Sequence, residues 1–452
     1  MKAWGWKKEG ILLLGIVLAA LALRLTTYKY EYLLGIDPFH HYRIAEYLAE
    51  KGQLPVIWPL SLAPTGAAIT EPAGLYYVSV LLHKLLEPFG FSFVQAFKLA
   101  PALFGAFALV PAYLLARKVF DRRAALYSSI VLAFLPAFIY RSFSGFYRGD
   151  VFSTFFMLWG FYFFLASLDG PLKRRVATSA LAGLSLGLMG LVWNGFLFGF
   201  GVLTLAFLLI STVSYYRGRW SWAPLQSYIL SAGLGVLLIK SFILLYPNTA
   251  APISTLAKYI YPGTVAFSGT LGALDLALKG RGARERVVSG GLLILATALI
   301  LLVIFPGFLE SLSKTTSYGA LGSDDPILGR ISELGRPTLK RAEETGIAEV
   351  SIEEKYGVAH ALAASGLPAT VRGFPLGLLT AVPALVGLLS LLKVVWKERR
   401  AGLLFLFVWL FTSLYLLVSA VRFAFLDALP IAVLWGEGLM ILGSWKIPDR
   451  RA

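Results

Sequence analysis

Long unbroken apolar runs alternate with short polar connections along nearly the whole of this 452-residue chain. A helix needs about 17–25 apolar residues to cross the hydrocarbon core of a bilayer. Runs of that length predict about twelve spans, near residues 10–26, 96–116, 124–141, 151–168, 176–193, 196–214, 224–245, 257–277, 287–306, 374–392, 402–419 and 423–443. The runs are continuous rather than alternating, which selects helices over a transmembrane barrel. No small-residue cleavage site follows "ILLLGIVLAALALRL", so the first run reads as a retained signal-anchor helix. The eighth run is the least regular, carrying Pro262, several glycines and Asp275.

Composition agrees. Hydrophobic residues make up 58% and charged residues 15%, with a mean hydropathy of +0.73. One aqueous core cannot hide that much apolar surface, so the bilayer must cover part of it. The expected fold class is an all-α polytopic membrane protein. The formal charge of +16 would suit nucleic acid, but its placement suits topology instead. Lys2, Lys7 and Lys8, then "ARKVFDRR", "DGPLKRR", "YYRGRW", "KGRGARER", "KVVWKERR" and "KIPDRR", fall on alternate connections and so on one side. Basic connections stay on the cytoplasmic side, which places both termini there. Dropping the eighth span would move "KVVWKERR" outside, so the charge pattern retains it. The chain has no cysteine, which excludes disulfides and thiolate chemistry. Two connections are long, 27–95 and 307–373, and both are expected outside. The organisation expected is a single transmembrane domain over 1–452 with no C-terminal soluble domain.

This topology brings four ionisable residues to the outer boundary of the membrane: Asp37 in "GIDPFHHYR", Asp150 in "YRSFSGFYRGD", Glu333 in "RISELGRPT" and Arg422 in "VRFAF". Gathered carboxylates repel unless a cation joins them, and hard oxygen ligands suit Mg²⁺ or Mn²⁺. An arginine beside them is shaped to hold phosphate bidentately. Each residue also has an ordinary structural role open to it. Asp37 ahead of Pro38 can cap the helix "PFHHYRIAEYLAEKG", and Asp150 can cap the fourth span. Glu333 can be solvated surface, and Arg422 can snorkel to the interface. His40 and His41 are adjacent, so on a helix they point about 100° apart and cannot both face one site. They are read as interfacial residues.

These segments together resemble the catalytic subunit of oligosaccharyltransferase, especially the archaeal type. "GIDPFHHYRIAEYLAEKGQLP" with "APTG" at 63–66 resembles the first outer loop of that family, and "RSFSGFYRGD" its second acidic motif. "ISELGRPT" resembles the Ser-Val-Ser-Glu or Thr-Ile-x-Glu motif, and "VRFAF" the late Arg-Phe segment. The likeness runs from about residue 10 to 443. It implies a GT-C type bundle and an inverting transferase. The substrate would be an oligosaccharide on a polyprenyl (dolichyl) phosphate or pyrophosphate, and the acceptor the asparagine amide of a polypeptide. By position, Asp37 would be a metal ligand that engages the acceptor amide. Asp150 would belong to the second acidic motif as a metal ligand, Glu333 would close the Mn²⁺ or Mg²⁺ site or act in catalysis by holding the amide, and Arg422 would stabilise the leaving donor phosphate.

Two departures from the family pattern matter. Where the second motif usually reads Asp-x-Asp, Asp-x-Glu or Asp-x-His, this chain has Arg148-Gly149-Asp150. An arginine cannot ligate a metal, so either Asp150 alone serves or the site has changed, and Arg148 is a candidate second contact to the donor phosphate. The Trp-Trp-Asp-Tyr-Gly motif of the family's outer domain does not occur. Acceptor choice would then fall to a separate subunit or to the long loop 307–373. The alternatives are a GT-C transferase with a lipid-phosphate sugar donor and a non-protein acceptor, or a non-catalytic relative. Polyprenyl-linked oligosaccharide, acceptor polypeptide and membrane lipid are the expected partners, with nucleic acid excluded.

Overall fold

A computed structural model describes residues 6–61, 64–246, 253, 256–279, 281–304, 376–398, 400–419 and 423–444. Among these residues the fold is helical apart from one two-stranded hairpin, Ile57–Trp58 against Ala67–Ala68. In chain order the helices are α1 (Trp6–Arg24), α2 (Asp37–Lys51), α3 (Gly74–Leu86), α4 (Phe93–Phe107), α5 (Leu109–Val119), α6 (Arg122–Phe134), α7 (Pro136–Tyr140) and α8 (Gly149–Ser167). They continue with α9 (Leu172–Val192), α10 (Leu197–Tyr216), α11 (Trp222–Leu245), α12 (Tyr261–Ala277), α13 (Ala283–Ile304), α14 (Leu376–Glu398), α15 (Ala401–Ser419) and α16 (Ala424–Ser444).

Among the described residues, each apolar run that predicted a span contains helix. By length and composition, seven helical stretches among the described residues suffice to cross a membrane: Lys7–Thr27, Phe93–Val119, Gly149–Ser167, Leu172–Val192, Asn194–Tyr216, Trp222–Leu245 and Ala424–Ser444. The chain is an integral membrane protein. The third predicted span is broken. Leu135 is extended, at φ −68° and ψ 121°, because the residue before a proline is pushed out of the α region by the ring of Pro136. The irregular eighth run opens with one turn of π-helix, Leu256–Ile260, before α12.

The connection 27–95 carries more order than its polarity suggested. Helix α2 forms from Asp37, and Gly52 closes it in a left-handed conformation at φ 74°. The sequence reading missed α3. Its residues Leu75, Tyr76, Ser79 and Val80 are buried, at the three- and four-residue spacing that puts side chains on one helical face. Together α2, α3, α4 and α8 enclose a core that includes Ile44, Leu48, Tyr76, Phe97, Tyr147 and Phe152.

The chain forms two compact units. The first comprises Met1–Lys118, Phe138–Thr204 and Ala223–Val265, and the second Val119–Ala137, Leu205–Trp222 and Ala266–Ala452. In the second unit α16 lies against α6 and α14, and glycines set how near they come. A Cβ added at Gly438 would sit 1.8 Å from Pro383 O, and one at Gly387 2.0 Å from Leu434 O. One at Gly436 would sit 2.2 Å from Ala124 O. Membrane helices lack a hydrophobic driving force toward one another, so close backbone approach through small residues supplies their packing.

Gly438→Ala and Gly387→Ala should therefore each lower stability by about 1–3 kcal/mol, read as a drop in Tm in detergent. Gly443→Ala, where a Cβ meets nothing within 4 Å, should leave Tm unchanged.

Candidate active site

The candidate site lies in the first unit, on the segment 141–148 that leads into α8. This segment is irregular, so its backbone polar groups must find partners elsewhere. Ser144 N donates to Arg24 O at 3.0 Å and Gly145 N to Lys98 O at 3.0 Å, while Leu34 N donates to Gly145 O at 3.1 Å. Gly145 takes φ +86°, a conformation that costs glycine nothing. Side chains add to the anchoring. Arg24 Nε donates to Ser142 Oγ at 2.8 Å, and Tyr147 OH to Leu75 O at 2.6 Å. The Tyr147 ring stacks on Phe97 at 3.9 Å between centroids. Burial holds the Tyr147 hydroxyl above its ordinary range, so it stays a neutral donor. The segment is thus tied to the end of α1, to α3 and to α4.

Fixed in this way, the segment carries a chain of alternating charges. Asp150, in the first turn of α8, is 3% exposed. Its Oδ2 faces Arg141 Nη1 at 3.2 Å and Arg148 Nε at 3.9 Å. Arg148 Nη2 reaches on to Asp37 Oδ2 at 3.2 Å. Both guanidinium groups lie 5.8 Å from the centroid of the Phe146 ring, within cation–π range. Gly149 permits the arrangement, since a Cβ there would meet Val192 O at 2.4 Å and the Trp193 ring at 3.1 Å. Asp37 is the first residue of α2 rather than its N-cap, which is Ile36. Its side chain is 52% exposed. Asp121, by contrast, does cap α6, accepting from Arg123 N at 2.7 Å and Ala124 N at 2.9 Å.

Asp37, Arg148 and Asp150 are therefore brought together. Glu333, Arg422 and the loop 307–373 lie outside the described residues. Arg148 was read toward a donor phosphate; its guanidinium faces Asp37 Oδ2 at 3.2 Å and Asp150 Oδ2 at 3.9 Å. Sequence reasoning missed Arg141, although it was quoted in the motif, and it misread His41. The histidine pair splits as helical geometry requires, with His40 half-buried and His41 only 7% exposed. The His41 ring lies 5.9 Å from that of Tyr76, and Tyr76 OH donates to Glu71 Oε2 at 3.4 Å. Burial pushes the His41 imidazole down to about 4, and Glu71 and Asp150 pull against this while His40 and Arg148 reinforce it. His41 is thus a neutral neighbour of the charged chain.

The described residues do not fit a divalent ion. Such an ion takes carboxylate oxygens at about 2.0–2.6 Å and six or more ligands. No three His, Asp or Glu side chains among the described residues are grouped to hold one. Asp150 Oδ2 is buried without a hydrogen bond. Two guanidinium groups already neutralise it.

Its long apolar helices make this protein an integral membrane protein of helical fold. More narrowly, the chain belongs to the oligosaccharyl transferase STT3 family, whose N-terminal family model matches residues 12–443. Dolichyl-phosphooligosaccharide-protein glycotransferase 1 of Pyrococcus horikoshii is 28% identical over 440 residues, 94% of this chain and 41% of the relative. The protein of that name from Pyrococcus furiosus is 34% identical over 176 residues, 38% of this chain and 18% of the relative. Among solved structures, the archaeal oligosaccharyltransferase AglB from Archaeoglobus fulgidus, in complex with an inhibitory peptide and a dolichol-phosphate, matches with a TM-score of 0.73. It is 20% identical, over 97% of this chain and 51% of that one. The Archaeoglobus fulgidus oligosaccharyltransferase in complex with Zn and sulfate matches with a TM-score of 0.68 at 19% identity, over 95% of this chain and 49% of that one. The chain spans about half the length of these structures and less of the two curated relatives.

Two stability outcomes follow from the geometry. Asp150→Asn leaves Arg141 buried without its counter-charge and should cost about 3 kcal/mol or more. Asp37→Asn breaks a half-exposed pair and should cost less than about 1 kcal/mol. Thermal unfolding in detergent separates them. The second outcome concerns pH. The folded state holds His41 neutral down to about pH 4, whereas an unfolded histidine gains its proton near 6.5. As pH falls from 6.5 toward 4 the unfolded chain binds more protons, so stability is lost at up to about 1.4 kcal/mol per pH unit. His41→Asn should shrink the fall in Tm between pH 7 and pH 4.5.

Proposed function

We propose that this chain transfers an oligosaccharide from a polyprenyl (dolichyl) phosphate or pyrophosphate to the asparagine amide of an acceptor polypeptide. The observation that carries this reading is Asp37, a half-exposed carboxylate held from behind by Arg148, in a chain of the oligosaccharyl transferase family. The curated relatives are named as glycotransferases acting from dolichyl-phosphooligosaccharide to protein. The Archaeoglobus structure in complex with peptide and dolichol-phosphate supports the same two partners.

An amide nitrogen is a poor nucleophile because its lone pair is conjugated with the carbonyl. A carboxylate accepting hydrogen bonds from its N–H groups favours rotation out of conjugation, and Asp37 takes that role. The nitrogen then bonds to the anomeric carbon as the carbon–oxygen bond to phosphate breaks. The electron pair departs on the phosphate oxygen, and one amide proton passes to the Asp37 carboxylate. Displacement from the opposite face inverts the anomeric configuration. Glu333 adds a second acceptor for the amide, and Arg422 stabilises the charge growing on the leaving phosphate. Arg148 fixes Asp37 in place, and Asp150 and Arg141 fix Arg148 in turn. The sequence raised Mn²⁺ or Mg²⁺ held by Asp37, Asp150 and Glu333, whereas Asp37 and Asp150 already meet the guanidinium groups of Arg148 and Arg141. The reacting face is taken as extracytoplasmic in the cell membrane, with both termini cytoplasmic, as the distribution of basic connections requires. A separate subunit or the loop 307–373 would present the acceptor.

The test is transfer from lipid-linked oligosaccharide to two peptides, one with an Asn-x-Ser/Thr sequence and one with its asparagine replaced by glutamine. Glycosylation of the first alone is expected. Asp37→Ala and Glu333→Ala should each lower the rate by more than about a hundredfold while the purified protein keeps its Tm. Equal modification of both peptides, or none with either, would remove the reading.

A further inference from the structure

We infer that the guanidinium of Arg148 occupies the place of a divalent cation in this protein, so that Asp37 and Asp150 are joined by the chain's own positive charge and take up no Mn²⁺ or Mg²⁺. The inference concerns the carboxylates of the proposed function, but its test reads metal uptake rather than transfer, so each can fail without the other.

Three observations carry it. The first is position. Arg148 contacts Asp37 Oδ2 at 3.2 Å and Asp150 Oδ2 at 3.9 Å. One planar cation therefore reaches both carboxylates that a metal would have to share, through two different nitrogens, Nη2 and Nε. This two-sided reach is what a guanidinium offers and an ammonium does not. The second is charge. Asp37 and Asp150 bring two negative charges, and Arg148 and Arg141 bring two positive ones, with Arg141 Nη1 3.2 Å from the same Asp150 oxygen. A divalent ion would add a double positive excess to charges that already balance, beside an Asp150 oxygen whose buried surroundings screen poorly. The third is restraint. Arg148 is not a surface side chain in passing contact. Its side chain is 18% exposed and faces the Phe146 ring at 5.8 Å. Phe146 is itself buried and belongs to the pinned segment 141–148. Asp150 lies beneath, at 3% exposure, while Asp37 keeps half its side chain open. Arg148 is thus a positioning residue. It presents Asp37 outward and balances its charge, but as a monovalent hydrogen-bond donor it supplies no Lewis acid.

Manganese uptake by the purified full-length chain in detergent tests this directly, with free Mn²⁺ followed by electron paramagnetic resonance. The wild-type protein is expected to bind no Mn²⁺ below millimolar concentrations. Arg148→Asp removes a positive charge and adds a carboxylate two residues before Asp150, and it should bind Mn²⁺ at least about tenfold more tightly. Asp150→Asn in that background should abolish the gain. Arg148→Gln, which removes the charge and keeps a polar side chain of similar reach, gives a second variant should Arg148→Asp fail to fold. It too should bind more tightly than wild type. Micromolar uptake by the wild-type protein that is lost in Asp37→Asn would overturn the inference. So would an Arg148→Asp or Arg148→Gln variant that folds yet binds Mn²⁺ no better than wild type.

Discussion

A carboxylate taken out of water needs a counter-charge or hydrogen-bond donors, and part of the first unit is arranged to give Asp150 counter-charges. Desolvation of an ion costs several kcal/mol, which only close, well-placed counter-charges return. Asp150 is buried where α8 begins, and Arg141 and Arg148 come from the segment just ahead of it. The segment must therefore fold back so that residues seven and two positions before Asp150 both face it. That path is irregular, and buried irregular backbone survives only where protein supplies its hydrogen-bond partners. Arg24 O at the end of α1 and Lys98 O in α4 accept from its backbone, Leu34 N donates to it, and Leu75 O at the start of α3 accepts from the Tyr147 hydroxyl. One buried carboxylate thus accounts for Gly145, for the stacked Tyr147 and for the close pass of Gly149 by α9.

The second unit answers a different constraint. It contains buried acids too, Asp427 on α16 and Glu437 further along it, but hydroxyl groups attend them: Ser413 donates to Asp427 Oδ1 at 3.1 Å and Ser390 to Glu437 Oε1 at 3.0 Å. Gly387, Gly436 and Gly438 let α6, α14 and α16 approach backbone to backbone. The first unit holds itself together around polar chemistry, the second around the absence of side chains.

Most of the helical framework was legible in the sequence because its cause is local. Apolar runs of sufficient length become helices wherever they lie, and Pro136 breaks its run through a local clash. Bringing Asp37 to the Arg148–Asp150 segment was also legible, since topology alone puts the ends of those runs on one side. What escaped was decided by tertiary packing. His41 and His40 have the same side chain and adjacent positions, and only the arrival of Tyr76 from α3 makes one buried and the other not. Helix α3 itself hid in a stretch too short to span and too polar at its edges to stand out. Arg141 could have been found. A buried acid at a helix start asks where its counter-charge is, and the nearest upstream arginines are the two that serve. Glu333 and Arg422 fall outside the described residues, so for them the sequence argument still stands by itself.

The exposures along the charged chain give it a direction. From Asp150 to Arg148 to Asp37, side-chain exposure rises from 4% to 18% to 52%. Electrostatic attraction strengthens as the surroundings become less polar, so the inner pair is the stiffer and the outer one the more yielding. Rigidity therefore passes outward from Asp150, and chemical availability passes inward from Asp37. A carboxylate that must meet an incoming amide needs both an open face and a fixed direction. Neither a solvated surface aspartate nor a fully buried one has the two together. Asp37 obtains its open face from the start of α2 and its direction from Arg148. An acid placed at residue 148 would repel Asp37 unless a cation arrived between them, whereas the arginine holds it without one.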